Sequence, residues 1–401
     1  MTTQPRHILF VMSRFLDGGI DTILVEYLRA LAAEGHRLTL AIGIKMEGME
    51  PHLAALPESV EVVHLVDSPA LTRLRRRKLR HRLSLPAKLY DEVLLNPMRR
   101  VMRRRRLSTL IARADAVVDF DASLYTDIAA LTPAGKPVVG FYHFSIAENL
   151  RRSPRHTTRQ MLGMAGYKAI ALISDTMVEE GRQLFPQLAQ KFTRIYNGYD
   201  IAALEKRGDA PLPASPLVEK LLQRRYFISV ARLEESQKDI TTLLHAYARL
   251  RGDLEEEAPM LALVGDGRDR QQLEALAAEL GVGADVAFLG FQPDAAPWIK
   301  NALTLVHSSK YEGFGLVLVE AMIQKVPVVA TDCPSGPAEV LDGGKAGILV
   351  PVGDTRTMAR AMLVLATDPG WRAPLAIAAY NRSRAFDIRH SAQALLRAIF
   401  A

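Results

Sequence analysis

The chain alternates short, continuous apolar runs with amphipathic helical stretches, and it does so twice. A strand covered on both faces reads as an unbroken apolar run, and parallel strands need a long crossover between them. The alternation therefore restricts the chain to layered α/β folds.

In the first half, HILFVM (7–12) reads as a buried strand, followed by a glycine-containing loop at 13–19. The next stretch, 20–35, puts Ile23, Leu24, Tyr27, Leu28 and Leu31 on one helical face. Further strands are predicted at 38–44, 60–65, 116–120, 138–143 and 169–174. The pattern restarts with strands at 225–232, 261–267, 286–291, 304–309, 328–333 and 348–353. Between the halves lie YNGYD (196–200) and the proline-rich PLPASP (211–216), a boundary in composition. We expect an N-terminal domain at 1–200 and a C-terminal one at 201–375. Two α/β halves also suit 401 residues, too many for one ordinary core.

Charge is unevenly spread. Residues 71–106 hold 14 Lys and Arg against only Asp91 and Glu92, so the net +7 comes from one block and the remainder is near −5. The block is LTRLRRRKLRHRL and PMRRVMRRRRLSTLI, which places Arg75, Arg76, Arg77, Arg103, Arg104 and Arg105 within a helical insertion at 71–111. Pro97 after Asn96 reads as a helix start, with Met98, Val101 and Met102 on one face between arginines. Such a cluster suits docking to an anionic membrane surface, at about 1 kcal/mol per basic residue, or to a lipid-anchored acceptor. A solvated face or nucleic acid would also accept it, although few aromatics interleave to stack bases. No run is long enough to span a bilayer and no leader pattern opens the chain, so a cytoplasmic protein is expected, peripheral on the inner membrane face. The single cysteine, Cys333, fits a reducing compartment.

The stretch SSKYEGFGLVLVEAM (308–322) carries most chemical information. Gly313, Phe314 and Gly315 separate Glu312 from a helical run containing Glu320, and a helix start after glycines offers free N–H groups to an anion or a hydroxyl-rich ligand. Two carboxylates eight residues apart can then address different parts of one long ligand.

This segment resembles the E-x7-E signature of the retaining glycosyltransferase family 4, in its bacterial surface-polysaccharide and lipopolysaccharide type. SVARLEESQKDITTLLHAYA (229–247) is similar to the family's diphosphate-binding segment, LALVGDG and FLGF to its nucleotide-pocket strand ends, and 331–354 to its closing segment. The resemblance implies a GT-B fold, two Rossmann-like domains facing each other across a cleft that closes over the donor. It implies a hexosyltransferase with the nucleotide sugar, by default UDP-linked, held by Arg232, Lys238, Gly265, Phe291, Gly313, Phe314, Gly315 and Glu320. Gly18 and Gly19 match the glycine loop near the phosphates and His143 the histidine approaching the transferred sugar. Catalysis would then fall to Glu312, His143, Arg232 and Lys238. In related enzymes the last helices return to the first domain, which implies the same for 376–401. Two departures stand out: Lys238-Asp239 where Lys-Gly is common, and Gln324-Lys325-Val326 where a small residue and glycine are common.

The roles have independent physical sense. A departing nucleoside diphosphate gains charge that fixed cations stabilise, Arg by a fork and Lys as a point charge. Carboxylates accept from paired sugar hydroxyls, which suits Glu320 to ribose and Glu312 to the hexose. Such a site needs no metal, and no cofactor is expected. The spacing Asp119-Phe120-Asp121 is read as turn or capping duty rather than metal binding. The expected partners are a nucleotide sugar, a lipid-linked or lipopolysaccharide acceptor and an anionic membrane, not nucleic acid. Rival readings are a nucleotide-sugar epimerase, a sugar phosphorylase, or a non-enzymatic polyanion binder on the same fold. A nicotinamide dehydrogenase is set aside because Asp17-Gly18-Gly19-Ile20 lacks the G-x-G-x-x-G fingerprint.

Overall fold

The computed structural model describes residues 4–16, 18–80 and 83–401. It divides into two compact units, Met1–Gly198 with Ile388–Ala401, and Tyr199–Asp387.

The described residues of the first unit form a parallel sheet of β1 (His7–Met12), β2 (Arg37–Ile42), β3 (Val60–His64), β4 (Ala116–Asp119), β5 (Val138–Tyr142), β6 (Ala169–Leu172) and β7 (Phe192–Arg194). Their spatial order is β3-β2-β1-β4-β5-β6-β7, with every pairing parallel. Apolar runs become central strands because helices cover both faces: β1, β4, β5 and β6 are buried along nearly their whole length. The helix α1 (Gly19–Ala33) lays the face carrying Ile23, Leu24, Tyr27, Leu28 and Leu31 on the sheet, all with 0% exposure. Tyr27, Phe120 and Phe141 meet edge-on or tilted at centroid distances of 4.9 to 5.7 Å, a geometry worth about 1 kcal/mol per pair beyond area burial. The sequence reading missed β7, whose three residues are too few to show a period.

The basic insertion holds α2 (Pro69–Arg80) and a longer helical run: Leu85–Tyr90, one π turn at Asp91–Leu95, then α3 (Asn96–Arg113). Pro97 lies in the first turn of α3, as expected, but no break in the helical path precedes it. Tyr90, Asp91, Leu95 and Asn96 all have right-handed helical angles, so the chain passes through. Proline lacks an N–H and clashes with the carbonyl four residues back, and a widened turn just before it accommodates both defects. Leu95 on the inner face packs with Val66 and Leu71.

The second unit repeats the topology. Its strands are β8 (Tyr226–Val230), β9 (Met260–Val264), β10 (Val286–Gly290), β11 (Thr304–His307), β12 (Val328–Thr331) and β13 (Ile348–Val350), in the order β10-β9-β8-β11-β12-β13. In chain order both sheets read third-second-first-fourth-fifth-sixth, the doubly wound Rossmann arrangement, and the first sheet adds a seventh strand. The order reverses between β1 and β4 in one sheet and between β8 and β11 in the other. Helix α4 (Ile240–Leu254) covers this sheet through Leu243, Leu244, Tyr247 and Leu250. The helix Pro369–Ser383 stays with this unit, so only Ile388–Phe400 joins the first, where Lys168 Nζ donates to the Ile399 carbonyl at 2.9 Å and Gln393 bonds Glu34.

Gly265, just past β9, has φ +128°, and a Cβ there would sit 1.9 Å from the Ala231 carbonyl oxygen. Gly265→Ala should therefore cost about 2 to 4 kcal/mol, through a forced backbone shift and a disfavoured φ. Gly252 lies in α4 with open space around it, and Gly252→Ala should gain about 0.5 kcal/mol. Urea unfolding of the two variants beside the parent checks both signs.

Candidate active site

Parallel strands bring their carboxyl ends to one edge, and ligands of such sheets bind where the strand order reverses. In the second unit that point lies between β8 and β11, and the segments following these two strands meet there. After β8 the chain passes Arg232, makes the short helix Glu235–Lys238 and enters α4 through Asp239. After β11 it passes Ser308, Ser309 and Glu312, then the helix α5 (Leu316–Ile323).

Lys238 Nζ lies 2.5 Å from Glu312 Oε1. The same oxygen accepts from Ser309 Oγ at 2.6 Å and contacts His307 Nε2 at 2.8 Å. Among the described residues no side-chain donor reaches the other oxygen, Oε2, which leaves its lone pairs to a ligand. Burial would push the Glu312 carboxyl up, but the Lys238 charge and the His307 hydrogen bond outweigh it and hold the carboxyl well below the usual range. His307 and Ser309 were not singled out in the sequence. The available signal was a polar pair at the end of an apolar strand, three to five residues before the glutamate.

Asp239 has φ 49° and ψ 45°, the left-handed region. Aspartate tolerates this better than most side chains, and here it accepts from Thr242 Oγ1 at 2.8 Å and pairs with Lys310 at 3.1 Å. Lys325 is likewise left-handed, at φ 62°, and its ammonium pairs with Glu205 and lies over the Tyr380 ring. Both departures from the family pattern thus fall where glycine would be easiest, and each replacement is tied down by its own side chain.

Gly315 caps α5 at φ 90°, with no side chain bonding the first turn. Phe314 is buried and meets Phe386 edge-on at 5.4 Å, so its ring anchors the loop, and the loop offers a ligand backbone N–H groups. Phe314, expected among the donor contacts, would meet a donor through its backbone, since its ring is turned away into the core. Glu320, one turn on, accepts from the Tyr199 hydroxyl at 2.6 Å. Burial raises its carboxyl pKa, an effect reduced by Tyr199 and the Arg207 charge. The two glutamates therefore have opposed tendencies, one held ionised and the other pushed toward its neutral form. Arg232 stays outside this network, largely exposed and 3.8 Å from Glu234. Gly265 serves the close approach of two loops, and Phe291 is an exposed ring past β10.

In the first unit Gly18 is the extended N-cap of α1, at φ −149°, a conformation that does not require glycine. A side chain there would meet the Asp21 carboxylate at 3.1 Å, so the start of α1, with Gly19 as its first residue, already has an anion beside it. Asp17 and, in the basic block, His81 and Arg82 lie outside the described residues. His143 follows β5 and is buried, with its ring stacked on Phe141. Its Nε2 lies 2.7 Å from the Phe120 carbonyl and therefore donates, leaving Nδ1 as a buried acceptor with no protein partner among the described residues. Burial lowers its pKa from 6.5 to about 4, with the Phe120 bond partly opposing, so at neutral pH it is an acceptor and not an acid. Asp121 accepts from Ser13 and Ser123, and Asp119 from the Tyr167 hydroxyl, which ties loops together. Among the described residues no cluster of three metal-ligating side chains occurs.

The arginine block divides. Arg99 and Arg75 turn inward to Asp91, at 2.5 and 3.1 Å, and Arg103 to Asp127 at 2.6 Å. Both carboxylates are almost fully buried and would be costly unpaired, which explains why Arg75 and Arg103 do not face outward as the charge run suggested. Arg76 pairs with Glu47 and Arg104 lies 3.9 Å from Asp127, whereas Arg77 and Arg105 are exposed. Beside them Leu85, Leu89, Val93, Leu94, Met98 and Val101 are all more than half exposed, a continuous apolar face.

Comparison with known proteins agrees with this organisation. Residues 17–203 match the family described as Glycosyltransferase Family 4, and residues 218–383 match Glycosyl transferases group 1. A lipopolysaccharide core biosynthesis glycosyltransferase of Rhizobium meliloti, LpsE, is 34% identical over 177 residues, 44% of this chain and 46% of that one. The lipopolysaccharide 1,6-galactosyltransferase of Salmonella typhimurium is 36% identical over 134 residues, 32% of this chain and 35% of that one. The chain thus spans about half the length of these relatives, or less. The crystal structure of Anabaena HepE in complex with UDP and glucose shares the fold, with a TM-score of 0.74 over 98% of each chain at 21% identity.

His143 yields a stability prediction whose sign is set by its lowered pKa. Its neutral form is favoured by the fold, so its contribution is complete above 6.5 and is lost as pH falls toward 4. The loss should reach about 3 kcal/mol, from 1.36 kcal/mol per pKa unit. His143→Asn should flatten the decline in urea midpoint between these pH values. An unchanged decline would mean that other groups cause it.

Proposed function

The chain belongs to the GT-B glycosyltransferases, and from that premise we propose that it transfers a hexose from a UDP-sugar to a lipid-linked or lipopolysaccharide glycan, with retention and without a metal. The observation that carries this is the junction of Lys238, His307 and Ser309 on one oxygen of Glu312, beside the uncapped start of α5. Lys238 and Arg232 supply fixed positive charge for the departing diphosphate, and the amides of the Gly313–Gly315 loop supply oriented dipoles. Glu312 stays ionised, so its open oxygen accepts from hydroxyls of the transferred sugar. Glu320, with the Tyr199 hydroxyl on Oε1, accepts from ribose through Oε2. His143 contributes an unprotonated nitrogen as an acceptor in the N-terminal unit. The relatives named for lipopolysaccharide synthesis support the acceptor class, and the neighbour solved with UDP supports the nucleotide.

The test is donor binding and turnover across UDP-, GDP- and ADP-sugars with a chelator present. We expect one nucleotide class to bind and turn over regardless of chelation, and Lys238→Ala and Glu320→Ala to lose about 100-fold or more in kcat/KM. Absence of nucleotide-sugar binding, or variants equal to the parent, would favour a polyanion-binding protein. Turnover without any acceptor, to a second nucleotide sugar, would favour an epimerase. The anomeric configuration of the product, read by NMR, tests retention.

Location at an anionic membrane is part of the same proposal. Among the described residues no helix is long and apolar enough to cross a bilayer. The exposed apolar face from Leu85 to Val101, edged by Lys88, Arg100 and Arg105, has the composition of an interfacial helix. Co-sedimentation with phosphatidylglycerol vesicles should fall at least fivefold in Leu89→Asp/Val93→Asp. Equal pelleting of parent and variant would remove the membrane from the proposal.

A further inference from the structure

The inward half of the arginine block lines a cavity of about 600 Å³ whose walls include Arg14, Arg75, Lys78, Arg99 and Arg103. Its floor is built from the residues just past β1, β2 and β3, with Ser123 from the loop after β4, so it lies at the carboxyl edge of the first sheet and reaches the point where the strand order reverses. Among the described residues no aspartate or glutamate lines it. The carboxylates that hold the arginines, Asp91 and Asp127, sit behind them.

We propose that this cavity is a binding site for a phosphate or diphosphate ester, the anionic group of the acceptor. The identification of that ester with the acceptor rests on the transferase reading above; the anion site itself does not.

Three of the five cations are fixed before any ligand arrives. Arg75 is held by Asp91 and by Asn96 Oδ1, at 3.1 and 2.6 Å. Arg99 donates to the Leu71 carbonyl at 2.6 Å as well as to Asp91, and Arg103 donates to Asp127. A guanidinium has five N–H donors, so an anchored arginine keeps donors for a second anion in a set direction. Arg14 and Lys78 are exposed, and among the described residues no carboxylate pairs with either. The cavity thus combines a rigid guanidinium wall with two exposed cations that no carboxylate among the described residues pairs with. An uncharged glycan would leave that charge unanswered, whereas a phosphate ester answers it with three or four acceptor oxygens. The volume admits a diphosphate with an attached sugar or short chain.

The phosphate could belong to a sugar of the glycan or to the head of a lipid carrier, and the probes separate these. Calorimetry on the full chain at low salt would use glucose 6-phosphate, farnesyl diphosphate and inorganic pyrophosphate, with glucose and farnesol as neutral controls and UDP in parallel. We expect at least one phosphate probe to bind where its neutral control does not, and Arg14→Gln/Lys78→Gln to weaken it about tenfold or more while UDP binding is retained. The tightest probe identifies the source: the sugar phosphate a phosphorylated glycan, the prenyl diphosphate a lipid carrier. Phosphate probes that bind no better than neutral ones, or that bind the double variant equally well, overturn the proposal. So does parallel loss of UDP, which would assign the cavity to the donor. If the phosphate probes bind in the expected way and no nucleotide binds the parent, the anion site stands and the transferase reading fails.

Discussion

Strand polarity is the constraint on which the rest depends. Every strand pairing in both sheets is parallel, so each sheet has one edge where all its strands end and the loops begin. Side chains separated widely in sequence are gathered there without any special device. Lys238 and Glu312 are 74 residues apart and meet because β8 and β11 are neighbours. The cationic cavity of the first unit arises in the same way, past β1, β2 and β3. The chemistry at both edges could change with the loops while the sheets remained unaltered.

A buried carboxylate is costly, and Glu312 shows how the cost is met. Removing a charge from water in this way needs compensation of several kcal/mol, supplied here by an ammonium, an imidazole and a hydroxyl converging on one oxygen. The convergence is asymmetric, and the asymmetry is what leaves a function open. One oxygen is committed to the protein, and the other keeps its lone pairs for something else. Glu320 has one strong protein donor, Tyr199, and a raised pKa, which makes it the softer of the two acceptors.

The sheets were legible because a strand buried on both faces leaves an unbroken apolar run, as HILFVM and TLVH do. The site was partly legible. Glu312, Glu320 and Lys238 stood out by spacing and resemblance, but Tyr199 did not, because its partner lies 121 residues away and no local pattern announces such a contact. Within the arginine block, the inward turn of Arg75 and Arg103 was not legible for a related reason. A run of like charge suggests a solvated face until the buried carboxylates that claim its members are known, and Asp127 lies well outside the run. Pro97 reads locally as a helix start; that the chain is already helical before it, through a π turn, is not announced by any local pattern.

The helix Ile388–Phe400 belongs to the first unit although nearly two hundred residues of the second intervene, so the second unit is in effect inserted into the first. The chain leaves and re-enters at adjacent points, marked by the parallel bridge between Tyr199 and Asp387. During synthesis the second unit has all its strands before the first has its last helix. Until residues 388–400 emerge from the ribosome, the surface that receives Ile388, Leu395 and Ile399 stays uncovered. The N-terminal half, made first, is therefore the last to be complete, and its apolar surface for this helix is the one left uncovered longest.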